Sequence, residues 1–179
     1  SVIDYLIDQD ATDHFNEFHF RSKKARAVLA SLPKVEKKRP MTAVDRENEA
    51  MMNDYRAMRQ TFIDQGKFDT DYMHVYFRLL EIVFYFGLGV VLIPHCAWLS
   101  VLAFVVCNTR CGWVQHEAGH NSLTGNIRTD KTIQSVVMGF GLHMSSGLWN
   151  SMHNKHHATP QKIKHDIDLD TTPFVAFYN

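Results

Sequence analysis

The sequence predicts a mainly α-helical protein that enters a membrane as a helical hairpin and carries histidine-bearing helices on the cytosolic side. Two apolar runs predict the hairpin. Residues 79–93 (LLEIVFYFGLGVVLI) hold a single charge, Glu81, and residues 96–109 (CAWLSVLAFVVCNT) hold none. Each extends through its flank toward the roughly 20 residues a spanning helix needs. The joint at Pro94 and His95 has no Lys or Arg, whereas basic residues lie before the first run and after the second, which predicts cytosolic ends. The third observation is the placing of histidines: His116 and His120, then His153, His156 and His157, stand in two clusters at helical spacing.

The rest of the chain reads in order around this hairpin. Residues 1–32 carry apolar side chains at helical spacing, with Asp10 or Thr12 as N-cap and Phe15, Phe18 and His19 on one face. A basic stretch from Arg21 to Arg39 is a solvated segment or a contact for anionic headgroups, and Pro33 and Pro40 mark residues 33–43 as a linker. Residues 44–65 predict a helix with one apolar stripe, Met51, Tyr55, Met58 and Phe62, expected to pack against the remaining protein, and Gly66 ends it. The hairpin is expected over residues 72–93 and 96–115. Residues 132–149 are apolar but interrupted by three glycines and three serines, which suits an interfacial or re-entrant segment better than a third span. The opening SVIDYLIDQDATDHF, without an initiating Met, and the ending PFVAFYN suggest a piece of a longer protein.

Charge excludes one class of partner. Lys+Arg and Asp+Glu are balanced at 19 each, so no basic surface for nucleic acid is implied. Three cysteines make no disulfide framework.

The two histidine clusters imply a metal held mostly by neutral nitrogen ligands, a donor set that suits Fe, Zn, Cu or Ni. His116, Glu117 and His120 also satisfy H-E-x-x-H, so a membrane-embedded zinc metalloprotease is the alternative. That reading needs a third ligand. The metzincin pattern would place Gly at 123 and His at 126, where the chain has Leu123 and Asn126, and no Glu follows Glu117. An aspartate could serve, but His153, His156 and His157 would be left without a role. The run HDIDLDTTP is not a calcium loop, because Thr171 and Phe177 stand where Gly and Glu are required. Asp166, Asp168 and Asp170 are better placed to orient ligand imidazoles by accepting their second N–H.

CGWVQHEAGHNSLTGN followed by WNSMHNKHHATPQKIKHDIDLDTTP closely resembles the front-end fatty acid desaturases, membrane enzymes fused to cytochrome b5. The family's first histidine box, H-x-x-x-H, matches at His116 and His120, and its second, H-x-x-H-H, at His153, His156 and His157. The third box is expected beyond Asn179. DATDHFNEFHFRSKKA resembles the end of the fused cytochrome b5 domain, with His19 at the position of the second haem ligand; the H-P-G-G segment with the first is expected before Ser1. The resemblance divides the chain into the C-terminal part of a cytochrome b5-like haem domain (1–32), a linker with an amphipathic helix (33–71) and the N-terminal part of a desaturase domain (72–179). It implies a non-haem di-iron site, haem b in the complete protein, O2, electrons from NADH-cytochrome b5 reductase, and a phospholipid- or CoA-linked polyunsaturated acyl substrate. The implied reaction is that of an oxidoreductase forming a cis double bond in the endoplasmic reticulum membrane, with the site facing the cytosol. Delta-4, delta-5 or delta-6 placement is implied, with the sequence around the boxes closer to the first two. The 179 residues alone are expected to be inactive.

Overall fold

Asp71 starts the first long apolar helix: its carboxylate accepts the backbone N–H groups of Met73 and His74 at 2.9 and 3.1 Å. The computed structural model describes residues 2–7, 10–34, 43–162, 166, 168 and 169. Among these, a short 3-10 turn, Val2–Leu6, precedes α1 (Thr12–Phe18), α2 (Lys23–Ser31), α3 (Ala43–Asp64), α4 (Tyr72–Leu92), α5 (Ala97–Gly119), α6 (Ile127–Val137) and α7 (Ser146–Ala158). The mainly helical fold class is borne out. Two compact units result, one holding α1 with α4–α7 and the other α2 with α3.

In the second unit, Gly66 ends α3 as expected. Its φ of +68° lets the Gly66 N–H reach Ile63 O at 2.9 Å and the Lys67 N–H reach Phe62 O at 2.9 Å, which satisfies carbonyls left over by the last turn. Within this unit, Met51, Met58 and Phe62 of the apolar stripe of α3 are exposed. Lys37, Lys38, Arg39 and Pro40, with most of the expected linker, lie outside the described residues.

In the first unit, α4 and α5 form the hairpin. Both are long and apolar enough to cross a membrane. Their apolar side chains turn outward: Val83 is 69% and Trp98 85% exposed. Such a surface suits lipid rather than water. The helices approach closely through small residues. Ser100, Ala103, Cys107, Cys111, Val114 and Ala118 make the buried face of α5. The Ser100 hydroxyl donates to Gly89 O at 2.8 Å, and the Cys107 thiol lies 3.5 Å from Ile82 O. One charged group bridges the pair. Glu81 accepts from Arg78 at 2.7 Å and lies 3.4 Å from Arg110.

α5 runs past the expected end of its span, so His116 is carried on the spanning helix itself and His120 caps it. The expectation of one segment over 132–149 is corrected. α6 begins earlier, where Asn126 accepts the N–H groups of Arg128 and Thr129, and ends in a π turn, Met138–Leu142. Gly141 permits this turn to press on α5, since a Cβ there would run into Cys111 Sγ. His143 then takes a left-handed φ of 54°, and Ser145 caps α7 as a separate helix.

Candidate metal centre

The end of α5 and the middle of α7 supply the histidines, and three contacts hold these helices at the required distance. Gly119 has no side chain, and a Cβ there would meet the Trp149 ring at 2.6 Å and Gln134 Nε2 at 2.8 Å. Gln134, fully buried on α6, exchanges two amide hydrogen bonds with Asn150 of α7 at 3.0 and 3.1 Å. Lys131 Nζ donates to Gly119 O at 3.0 Å and closes the end of α5. Beyond the first box, buried Asp130 accepts the backbone N–H and hydroxyl of Thr124 at 2.9 and 2.5 Å, which fixes the loop leading to α6.

Four imidazoles converge within this frame. His153 Nε2 lies 3.0 Å from His116 Nε2, 3.1 Å from His120 Nε2 and 3.1 Å from His157 Nε2. Nitrogens of His116, His120 and His153 all fall within 4.8 Å of one another. The other nitrogen of His153 faces Asp168, with Nδ1 2.5 Å from Oδ2. A carboxylate accepts, so Nδ1 carries the proton and Nε2 offers one lone pair. One lone pair accepts one well-aligned hydrogen bond, yet three ring nitrogens surround it. Lone pairs directed at a shared cation account for the arrangement better. A metal–nitrogen bond of about 2.1 Å puts ligands at right angles about 3.0 Å apart, which fits the observed separations.

His156 repeats the pattern: its Nδ1 lies 2.8 and 2.9 Å from the two oxygens of Asp166. Burial alone would raise the Asp166 pKa, but the Gln161 N–H and the His156 ring outweigh it and hold the carboxyl below its usual range. Asp166 is buried. Asp168 and Asp166 thus hold the rings of His153 and His156, the contact the sequence suggested for these two aspartates; Asp170 and His165 lie outside the described residues. His120 is the most open of the trio. Its ring is nevertheless packed among imidazoles, and burial, followed by the neighbouring His157, pushes its pKa down to about 4. Burial, then His153, lowers His157 in the same direction. Neutral rings are what a metal requires.

Trp149 is the residue that sequence reasoning missed. Its ring stacks on His153 with centroids 4.2 Å apart and planes at 22°, and meets His116 edge-on at 5.6 Å. Its position one helical turn before His153 was the available signal. Trp149 also lines an open cleft of about 670 Å³ with Thr109, Trp113, His116, Met152 and His153. Glu117 is not aimed at the cluster by any described contact; its carboxylate lies 3.5 Å from His74 on α4. His19 stands apart at the end of α1, its ring 4.9 Å from Phe15. The same segment touches the site through its neighbours. Phe18 meets His157 edge-on at 6.3 Å, and Arg21 donates to Asn121 O at 2.8 Å.

Residues 66–179 match the family model described as fatty acid desaturase. The chain is 42% identical over 179 residues to an acyl-lipid (8-3)-desaturase of Rebecca salina, covering 99% of the chain and 41% of that protein. It is 39% identical to an acyl-lipid (8-3)-desaturase of Thraustochytrium sp, covering 99% of the chain and 43% of the relative. An acyl-lipid (9-3)-desaturase of Physcomitrium patens is 28% identical over 99% of the chain and 34% of its own length. The chain thus spans about two fifths or less of these relatives. No solved structure matches.

Proposed function

Because the chain belongs to the fatty acid desaturase family, we propose that it forms part of a front-end acyl-lipid desaturase whose iron is held by His116, His120, His153, His156 and His157. The observation that carries this reading is the convergence of His116, His120 and His157 on His153, with His153 and His156 braced by carboxylates. The donor set fits a non-haem iron pair. When bound, that pair supplies the O2-dependent oxidation that removes two hydrogens from an unactivated acyl chain. The chain's own residues bind and orient. Asp168 and Asp166 hold the protons on Nδ1 of His153 and His156, so that Nε2 is the free donor in each. Trp149 walls the cleft beside them and keeps the plane of His153 fixed. The apolar length of α5 leads from the bilayer to the cleft through Thr109 and Trp113, a route suited to an acyl chain.

The finer assignments extend this reading. Residues 1–32 are the end of a cytochrome b5-like domain with His19 as a haem ligand, residues 33–71 a linker, and residues 72–179 the desaturase part. Electrons come from NADH through cytochrome b5 and its reductase, and the site faces the cytosol from the endoplasmic reticulum membrane. The (8-3) designation shared by the relatives at 42% and 39% identity supports the same specificity here, with a lipid-linked acyl substrate. A zinc protease finds no support in the arrangement, since Glu117 pairs with His74. The test is to express the full-length protein in yeast fed candidate polyunsaturated acids and to locate new double bonds in the lipids. A new cis bond on the carboxyl side of an existing one is expected; peptide hydrolysis without a lipid product would contradict the reading.

A further inference from the structure

The cluster of Arg78, Glu81 and Arg110 lies within the hairpin, where charge is expensive and marks function. Its make-up is unbalanced. Two guanidiniums share one carboxylate, for a net charge of +1. Arg78 holds Glu81 closely at 2.7 Å, whereas Arg110 reaches it only at 3.4 Å. Arg110 Nε is covered and has no hydrogen-bond partner among the described residues. An Arg head has five donors, and the loose 3.4 Å pair uses few of them. The net charge of +1 leaves the Arg110 side of the cluster short of an anion.

Depth identifies the anion. Exposed aromatic rings bracket the hairpin: Trp98 at the joint end, and Tyr76, Phe77 and Trp113 at the other. Aromatic residues settle at headgroup level on both sides of a bilayer. Trp98 and Trp113 are about 22 Å apart along α5 at 1.5 Å per residue, less than the hydrocarbon thickness of about 30 Å, so the flanking groups must snorkel outward or the bilayer must thin. Arg78 follows Tyr76 and Phe77 within one turn, and Arg110 precedes Trp113 by three residues. Both guanidiniums therefore stand just inside one aromatic belt, on side chains about one-third exposed. The abundant anion there is the lipid phosphodiester, whose oxygens suit the planar guanidinium fork.

We propose that Arg110, with Arg78, binds the phosphodiester of a phospholipid headgroup and so sets the depth of the hairpin. His116 then stands about 9 Å further along α5, at 1.5 Å per residue, just outside the headgroups. The anchor rests on the hairpin crossing the bilayer. Glu81 offsets one of the two positive charges and competes with the phosphodiester for the guanidiniums, so that its removal leaves more charge for the lipid.

The experiment is native mass spectrometry of the full-length protein released from nanodiscs, counting retained phospholipid. The wild type is expected to keep phospholipid and not diacylglycerol, and millimolar inorganic phosphate is expected not to displace it. Arg110→Gln should lower retention about tenfold, and Arg110→Lys should lower it less. Glu81→Gln, which raises the net charge, should increase retention and decides the question if Arg110→Gln does not fold. Equal retention in Arg110→Gln, a fall in Glu81→Gln, or displacement by inorganic phosphate would each overturn the lipid assignment. A tag at Pro94 in sealed microsomes separates the two failures. Cleavage by external protease removes the hairpin itself, whereas protection with unchanged lipid retention removes this inference alone.

Discussion

His153 is the pivot of the site. It stacks on Trp149, bonds to Asp168, and presents Nε2 to three other imidazoles. Replacing any of His116, His120, His153, His156 or His157 with Ala in the full-length protein should abolish desaturation, whereas Glu117→Gln should retain it, because Glu117 faces His74. Asp168→Ala leaves the ligands in place but frees the imidazole. Metal affinity should fall about 10- to 100-fold, as other losses of such carboxylates do; titration with ferrous iron measures it, and unchanged affinity would remove Asp168 from the site. Gly119 sets the approach of Trp149. Gly119→Ala inserts a methyl where the ring stands, at a cost of about 1–3 kcal/mol, which thermal unfolding of the detergent-solubilised protein should show. At this scale the sequence was informative where chemistry repeats at helical spacing. The two histidine boxes were legible as clusters, and so was contact of Asp166 and Asp168 with their rings. The pairing of Gly119 with Trp149 was not, because the two lie on different helices and nothing local joins them.

The elements follow local signals where these are strong. Asp71, Asn126 and Ser145 cap α4, α6 and α7 through backbone N–H groups, and Gly66 closes α3. The break between α6 and α7 was less legible. The glycines and serines of residues 132–149 signalled a break without placing it; the packing of Gly141 on Cys111 and the left-handed His143 end the helix. The fully buried Gln134 also runs against the apolar pattern, since its partner Asn150 is contributed by the next helix. A double-mutant cycle should expose this pair. Gln134→Ala leaves a half-buried amide unpaired and should cost about 1–3 kcal/mol; adding Asn150→Ala should cost less than the sum of the single changes. Strict additivity would mean that the amide pair does not join α6 to α7.

At the scale of the whole molecule, the hairpin and the histidine cluster define one arrangement: α5 carries apolar surface along most of its length and His116 and His120 at its end. On the proposed topology, with both helix ends in the cytosol, a tag at Pro94 should resist external protease in sealed microsomes, and its cleavage would reverse the topology. The exposed apolar sides of α4 and α5 were legible as spans because few charges interrupt them: Arg78 and Glu81 on α4, Arg110 and Glu117 on α5. Periodicity identifies an apolar face but not what covers it. The central claim, that these five histidines with their aspartates hold iron for an oxidative reaction on lipid, is tested most directly by the metal content of the purified full-length protein. The account predicts two non-haem irons per chain in the wild type, and their loss in His153→Ala with the protein still folded. A single zinc, or an iron content unchanged by His153→Ala, would contradict it.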